Sequence, residues 1–385
     1  VLSILAIPAT GSAAYLLLLT LLSGRPHVPA APSRRLRFDV VIPAHNEEPG
    51  IAGVVESVQG VDWPRDGFRV LVVADNCTDD TAAAARRAGA EVLVRQDAAL
   101  RGKGYALAHA FEASRRAEWA DAVVVVDADS RVSANLLVAI ASRIERGEHA
   151  VQVHYGVANV HASWRTRLMA IAMAAFHRVR SRGRERLRLS CGIRGNGWAL
   201  THQLLRQVPY ASFSLTEDLE YGIALGAKGI RVAYADEADC DGEMVSREQD
   251  ARSQRRRWEQ GRLALLRANA WPLLKHAVRN RSAICLDLAL DLLVLPLSYL
   301  VLGAVALTAA SLALAPSSGW PLLALATDAA LVAYVLRGWQ LSGAGLRGLA
   351  DLTRAPFFVA WKVVLMLGGR RAGEWVRTKR EERPG

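Results

Sequence analysis

The stretch "AVVVVDADS", residues 122–130, runs an unbroken apolar segment into Asp127 and Asp129. Consecutive β-branched valines with no polar alternation predict a strand covered on both faces, as in a parallel sheet packed between helices. The two carboxylates then fall at the carboxyl end of a buried strand, where open α/β sheets bind their ligands. The same pattern repeats on either side: "FDVVIP" (38–43), "RVLVVA" (69–74), "EVLV" (91–94) and "AVQVHY" (150–155). Helical patterns near 50–59, 78–88, 104–116 and 133–146 separate them, so the middle of the chain reads as an α/β unit with a mostly parallel sheet.

Polar clusters close the other strands. "IPAHNEE" (42–48) carries Glu47, and "ADNCTDDTA" (74–82) places Asp75 directly after its strand. Asp79 and Asp80 open the next helix and read as caps, satisfying orphan N–H groups; Asp75 is assigned a ligand-facing role. Asp127 and Asp129 stand so close that they repel unless a cation lies between them, and a hard divalent ion holding a diphosphate suits such oxygen ligands.

Further along, "RGKGYAL" (101–107) sets Lys103 between glycines ahead of a helix, where an ammonium can meet phosphates. It lacks P-loop spacing, which argues against an ATPase, and a plain flexible turn is the competing reading. "CGIRGNGWAL" (191–200) is a glycine-rich turn; Gly195, Asn196 and Gly197 permit close backbone approach to a second substrate. "SLTEDLEYGIALGAKG" (214–229) reads as a helix closed by glycine, with Glu217 and Asp218 in its first turn as caps or as a general base. In "SREQDARSQRRRWEQGR" (246–262) a helix puts Gln254, Arg257 and Trp258 on one face, forming either a solvated basic surface or the wall of a site.

The ends of the chain are apolar. Residues 1–22, 292–315 and 319–336 are each long enough to cross a hydrocarbon core and predict three transmembrane helices. A cleaved signal peptide is the alternative for the first, with "VPAAPS" as its cleavage site. Arginines 25, 34, 35, 37, 279, 281 and 337 flank these runs, whereas the hairpin "PSSG" has no Lys or Arg. The positive-inside rule then gives one topology: a membrane helix at 1–23, a cytoplasmic domain at 24–282, a two-helix hairpin at 283–340, and an interfacial helix with a basic cytoplasmic tail at 341–385. In a bacterial-type cell this is a multi-pass plasma-membrane protein. Residues 164–189 and 346–369 combine apolar and basic positions as helices in a membrane interface do, although the first suits a helix packed on the sheet equally well. The net charge of +11 is largely juxtamembrane and points to anionic lipid headgroups, not nucleic acid. Cys77, Cys191, Cys240 and Cys285 show no CxxC spacing and read as reduced thiols.

Asp75, the Asp127-Ala-Asp129 pair, "TED" at 216–218 and "QRRRW" at 254–258 occur in an order and spacing that resembles the D, D, D, QxxRW signature of the processive-type family 2 glycosyltransferases. These include the cellulose, hyaluronan, chitin oligosaccharide and poly-N-acetylglucosamine synthases, with ceramide glucosyltransferases as distant relatives. The resemblance covers about 40–262, with weaker likeness in "EWVRTKR" (374–380). It implies a GT-A fold, Rossmann-like, and an inverting, metal-dependent transfer from a nucleotide diphospho-sugar, most often a UDP-sugar, to a growing polysaccharide.

By that likeness Glu47, Asp75 and Lys103 hold the nucleotide, and Asp127 and Asp129 hold Mg²⁺ or Mn²⁺ against the diphosphate. Gln254 and Arg257 face the diphosphate, Trp258 packs on the acceptor sugar, and Asp218, with Glu217 beside it, removes the acceptor proton. The departure is in the membrane: three helices hardly enclose a polymer channel. Single transfer to a lipid or lipid-linked saccharide is therefore the alternative, unless a homo-oligomer or export partner completes a pore. A silent nucleotide-sugar- or lipid-binding assembly subunit is the remaining reading.

Overall fold

The computed structural model describes residues 2–244 and 248–354, and for 248–260 the backbone alone. Its centre is an eight-stranded sheet ordered β3-β2-β1-β4-β7-β6-β8-β5. The valine runs form the parallel half: β1 (Phe38–Ala44), β2 (Phe68–Asp75), β3 (Glu91–Arg95) and β4 (Ala122–Val125). Val41 of β1 is opposite Leu71 of β2 and Val125 of β4. Alternate residues point to opposite faces. Val40, Ile42, Val72 and Val124 join the core under α2 (Glu48–Gln59), α3 (Thr81–Arg87) and α5 (Leu136–Ile144). Val41, Val73, Val123 and Val125 join the core under α4 (Lys103–Ala117), α8 (His202–Gln207) and α9 (Glu217–Ala227). Each such wholly buried valine contributes roughly 1.5–3 kcal/mol.

The other half is mixed. β7 (Trp198–Thr201) runs antiparallel between β4 and β6 (Ala150–Val157). β8 (Val232–Gly242) is parallel to β6, and β5 (Ser130–Val132) is antiparallel on the edge. The α/β class stands, with parallel pairing among β1–β4 and again between β6 and β8. The cysteines are free thiols.

The segment 164–189 is not one regular helix. It divides into α6 (Trp164–Met173), a π-helical stretch from Ala174 to Val179, and α7 (Arg180–Arg186). One side packs on the sheet, where Met173 meets Val157 and Met244. Ala175 and Val179 pack instead with Leu331 and Tyr334 of the membrane-length helices. At Gly183 an added Cβ would come 2.7 Å from the carbonyl oxygen of Leu19, so α7 lies backbone to backbone on α1 (Leu2–Leu21).

Among the described residues three helices, α1, α12 (Leu297–Leu314) and α13 (Trp320–Leu341), are long and apolar enough to cross a membrane. They share a core built on Leu16, Leu300, Ala304 and Leu331. Arg337 of α13 donates to Ser23 Oγ (2.9 Å) and to the Ser23 carbonyl (3.0 Å), tying the end of α13 to the end of α1. Two details depart from the sequence reading. The apolar run from 292 breaks at Pro296; residues Ala283–Leu293 form a separate helix, α11, that packs on α9 and on α10 (Glu248–Asn280). Asp328 lies inside α13 and accepts a hydrogen bond from Thr308 of α12 (2.7 Å).

After α13, α14 (Gly345–Asp351) and a short 3₁₀ turn begin the segment expected at the interface, and Asp351 accepts from Arg167 (2.6 Å) and Arg354 (3.0 Å). The remainder of that segment and "EWVRTKR" lie outside the described residues.

Candidate active site

The carboxyl ends of β1, β2 and β4 open into one cavity of about 2240 Å³. Glu47, Asp75, Lys103, Asp127, Asp129, Glu217 and Asp218 all line it, so residues from five separate segments converge as the sequence reading requires.

Asp75 is the last residue of β2 and is buried; its Oδ1 accepts from Arg95 Nη1 (2.6 Å) and Asn76 Nδ2 (3.1 Å). Arg95 was not foreseen as its partner. The Glu47 N–H donates to Thr81 Oγ1 (2.8 Å). Asp79 is the cap it was read as, accepting from the N–H groups of Thr81 (3.1 Å) and Glu48 (3.3 Å). Asp80 stands at the N-cap of α3 but makes no side-chain cap bond.

Lys103 is the first residue of α4, and its ammonium ties the site together. Nζ lies 2.5 Å from Asp127 Oδ1 and 3.8 Å from Glu217 Oε1, and donates to the Gly195 carbonyl at 2.6 Å. Burial works against its charge, but Asp127 and Glu217 outweigh burial and raise its pKa. Close packing allows this position: an added Cβ at Gly104 would stand 2.3 Å from the Ser212 carbonyl.

Glu217 and Asp218 begin α9. Burial pushes the Glu217 carboxyl up to about 7; Lys103 opposes this shift and Asp218 adds to it. Burial likewise raises Asp218, against the pull of Lys103. Gly195 has a positive φ of 89°, and a Cβ there would be 3.1 Å from Asp218 Oδ2, so the carboxylate rests against bare backbone. A desolvated carboxyl of this kind, its pKa raised by burial, suits proton removal from an alcohol.

The glycine-rich turn differs from expectation in its other two residues. Asn196 is wholly buried, and its side chain is spent on the protein. Its Oδ1 accepts from the Asp127 N–H (3.0 Å) and from Cys240 Sγ (3.1 Å), while Nδ2 donates to Ser130 Oγ (2.6 Å). Gly197 is packed against Val153 and Cys240, where a Cβ would be 2.6 Å and 2.7 Å from side-chain carbons. Gly195 lines the cavity; Asn196 and Gly197 do not. Asn196 braces the backbone at Asp127 from behind, and Gly197 packs against Val153 and Cys240.

The side chains of Gln254, Arg257 and Trp258 lie outside the described residues, though the backbone around them is helical within α10. At the next residues α10 does reach the site. Gly261 abuts Thr216, the N-cap of α9, so closely that an added Cβ would come 2.3 Å from Thr216 Cγ2.

Among the described residues no group of three His, Cys, Asp or Glu converges as a closed metal site. Asp127 and Asp129 fit a Mg²⁺ or Mn²⁺ ion shared with a diphosphate, since such ions take one or two carboxylates plus substrate phosphates.

The cavity extends well beyond the carboxylates. Leu168 and Ala172 of α6, Val301 and Val305 of α12, and Leu331 and Val335 of α13 line its far end as a largely apolar groove that also includes Asp328 of α13. Between the two ends lie Tyr155, Phe176, His177, Arg180, Arg194 and Arg262. None of these was singled out in the sequence, although Tyr155, Arg194 and Arg262 stood in quoted stretches.

Residues 35–261 match the sequence pattern of the family described as glycosyltransferase like family 2. The chain belongs to that family. Among its relatives, an uncharacterised glycosyltransferase of Mycobacterium tuberculosis is 30% identical over 204 residues, covering 49% of this chain and 87% of that protein. The probable glycosyltransferase YdaM of Bacillus subtilis is 24% identical over 248 residues, 62% of this chain and 56% of that one. The fold is shared with a mannosyltransferase of Pyrobaculum calidifontis solved with GDP-Man and Mn²⁺, at TM-score 0.53 and 22% identity over 92% of this chain and 98% of that one. The strand-end aspartates of this glycosyltransferase therefore sit in a GT-A-like sheet, in an enzyme class that draws its sugars from nucleotide sugars.

Proposed function

We propose that this family 2 glycosyltransferase is a membrane-bound, inverting enzyme that transfers one sugar from a nucleotide diphospho-sugar, a UDP-sugar, to a lipid or lipid-linked acceptor. One observation carries the choice of acceptor: the cavity that holds the carboxylates continues into the apolar groove between α6, α12 and α13. A growing hydrophilic polymer gains nothing from such walls, whereas an acyl or prenyl tail is stabilised by roughly 0.8 kcal/mol for each CH₂ it buries. The signature shared with polysaccharide synthases supports polymer extension equally well by itself; the groove favours the lipid.

In this reading Asp75 and Glu47 hold the nucleoside, and Asp127 and Asp129 hold the divalent ion with Lys103 beside them. When bound, the ion supplies positive charge against the charge that develops on the leaving diphosphate. By the family resemblance, Gln254 and Arg257 are assigned to that diphosphate and Trp258 to an acceptor sugar. Asp218 takes the proton of the acceptor hydroxyl as its oxygen bonds to the anomeric carbon and the bond to the diphosphate breaks. A single displacement inverts the configuration, so an α-linked donor yields a β-glycoside.

The test uses the full chain in lipid nanodiscs with Mn²⁺, a panel of UDP- and GDP-sugars and a native lipid extract, with products read by mass spectrometry. One added sugar on a lipid-soluble product is expected, and Asp218→Asn should abolish transfer while donor binding persists. A ladder of sugar masses would establish polymer extension instead. Donor binding without glycoside from the unsubstituted chain would leave the assembly-subunit reading.

A further inference from the structure

Between the carboxylates and the apolar groove, one phenyl ring is surrounded by guanidiniums. Arg180, Arg194 and Arg262 lie 4.8, 4.7 and 5.5 Å from the centre of the Phe176 ring. They come from three segments: the start of α7, the glycine-rich turn and α10. Arg184 of α7 is wholly buried in the same cluster.

The anions in contact with them are Asp287 and Asp291 of α11. Asp291 serves Arg180 (2.9 Å), Arg184 (2.8 Å) and, more distantly, Arg194 (3.7 Å), and Asp287 serves Arg184 (2.8 Å). Arg262 is held by main-chain carbonyls, those of Asp291 and Val294. Four guanidiniums thus meet two carboxylates among the described residues, an excess of two positive charges in a setting where unpaired charge is costly. Burial pulls the Arg262 pKa down to about 10 and lowers that of Arg194, with the neighbouring arginines adding to both effects. At about 10, Arg262 stays charged at neutral pH. His177, on the π-helical stretch beside Phe176, also lines the cavity, and its Nδ1 is buried without a hydrogen-bond partner. Such π-helical turns are often found at functional sites.

We infer that Arg180, Arg194 and Arg262, with His177, form the binding site for a phosphate or diphosphate group of the acceptor. This rests on the lipid-acceptor reading, which it deepens. The order along the cavity matches an amphiphilic phosphate ester: tail in the groove, phosphate at the arginines, reacting oxygen at the carboxylates. Two net positive charges complement a diphosphate diester that carries a sugar hydroxyl beyond its phosphates, and guanidinium forks suit phosphate oxygens. Arg194 adjoins Gly195, whose carbonyl is bonded to Lys103, so the anion site abuts the centre of transfer.

The experiment measures equilibrium binding of labelled farnesyl phosphate to the full chain in nanodiscs, with farnesol and inorganic phosphate as competitors. Farnesyl phosphate is expected to bind at least tenfold more tightly than farnesol. Arg262→Gln should weaken farnesyl phosphate tenfold or more and leave farnesol within twofold, while Arg262→Lys, which keeps the charge, should recover most of the loss. Arg194→Gln gives an independent second variant. Equal binding of farnesyl phosphate and farnesol would overturn the anion site and leave the lipid reading standing. Saturable binding of neither would remove both. If inorganic phosphate displaces farnesyl phosphate at equal concentration, the site takes a free anion and the lipid headgroup assignment fails. If Arg262→Gln lowers the unfolding temperature without moving the farnesyl phosphate affinity, the arginines are structural and the inference fails.

Discussion

Lys103 Nζ stands 2.5 Å from Asp127 Oδ1, and the same ammonium faces Glu217 at 3.8 Å. One cation therefore links the metal-ligand candidates to the base candidates. Replacing it with a neutral side chain of similar length, Lys103→Met, leaves three carboxylates without the charge they share. The donor kcat/KM should fall by about 10²-fold, the scale of losing one preorganised electrostatic group. Nucleotide release measured against donor concentration checks this; an unchanged kcat/KM would show that the ammonium only packs the loop.

The Glu217 pKa, pushed up to about 7 by burial, has consequences for pH. The folded protein holds this proton more tightly than an unfolded chain, whose carboxyl titrates near ~4.3. Its stabilising contribution is complete below ~4.3 and is lost as pH rises through 7. The unfolding temperature of the substrate-free protein should therefore drop between pH 5 and 8, and drop less in Glu217→Gln. Transfer needs the ionised base and, because burial raises both acids, should climb as pH rises. Removing the neighbouring charge in Glu217→Gln should move that limb to lower pH; a flat profile would exclude either acid as base.

Asn196 bonds the Asp127 N–H, Cys240 and Ser130 at once. Asn196→Ala leaves buried groups unpaired at a cost of about 1–3 kcal/mol each. Stability should fall, and kcat should fall further than stability explains, because the aspartate pair loses its brace. Thermal unfolding and single-turnover rates on the same preparations separate the two effects.

Ala172 lies on the groove wall contributed by α6. An indole there, in Ala172→Trp, should obstruct a tail and spare the nucleotide end. Transfer to lipid is expected to fall at least tenfold, with slow hydrolysis of the donor unchanged. Parallel loss of both activities would place the tail elsewhere.

The parallel half of the sheet was legible because its signal is local: unbroken valine runs admit no other burial. β7 was hidden, since "WALT" is too short to carry a period and follows directly on a glycine turn. β8 alternates apolar and acidic residues and pairs with β6 through a register shift at Val153/His154, which blurs any pattern. The π-helical stretch is invisible to a 3.6-residue period, so 164–189 read as one helix. Within the site, Asp75, Asp127, Asp129, Glu217 and Asp218 were legible because strand and helix ends fix them locally. Arg95, Arg180, Arg194 and Arg262 were not, because each gains meaning only from a neighbour far away in sequence. At Asn196 the glycine-rich turn suggested close backbone approach to a second substrate, while the fold uses its side chain on Asp127, Cys240 and Ser130.

The contact of Gly183 with the Leu19 backbone leaves no room for a spacer between the sugar-handling body and its anchor. Under the proposed reading, with the three apolar helices in a bilayer, the reaction centre would stand at one height above it, and that height acts as a ruler. An acceptor whose reactive oxygen lies one headgroup length from its tail is in reach. After a sugar is added, the new terminus stands a saccharide further out, beyond the ruler's mark, so under the proposed reading a single addition ends itself without any device for counting.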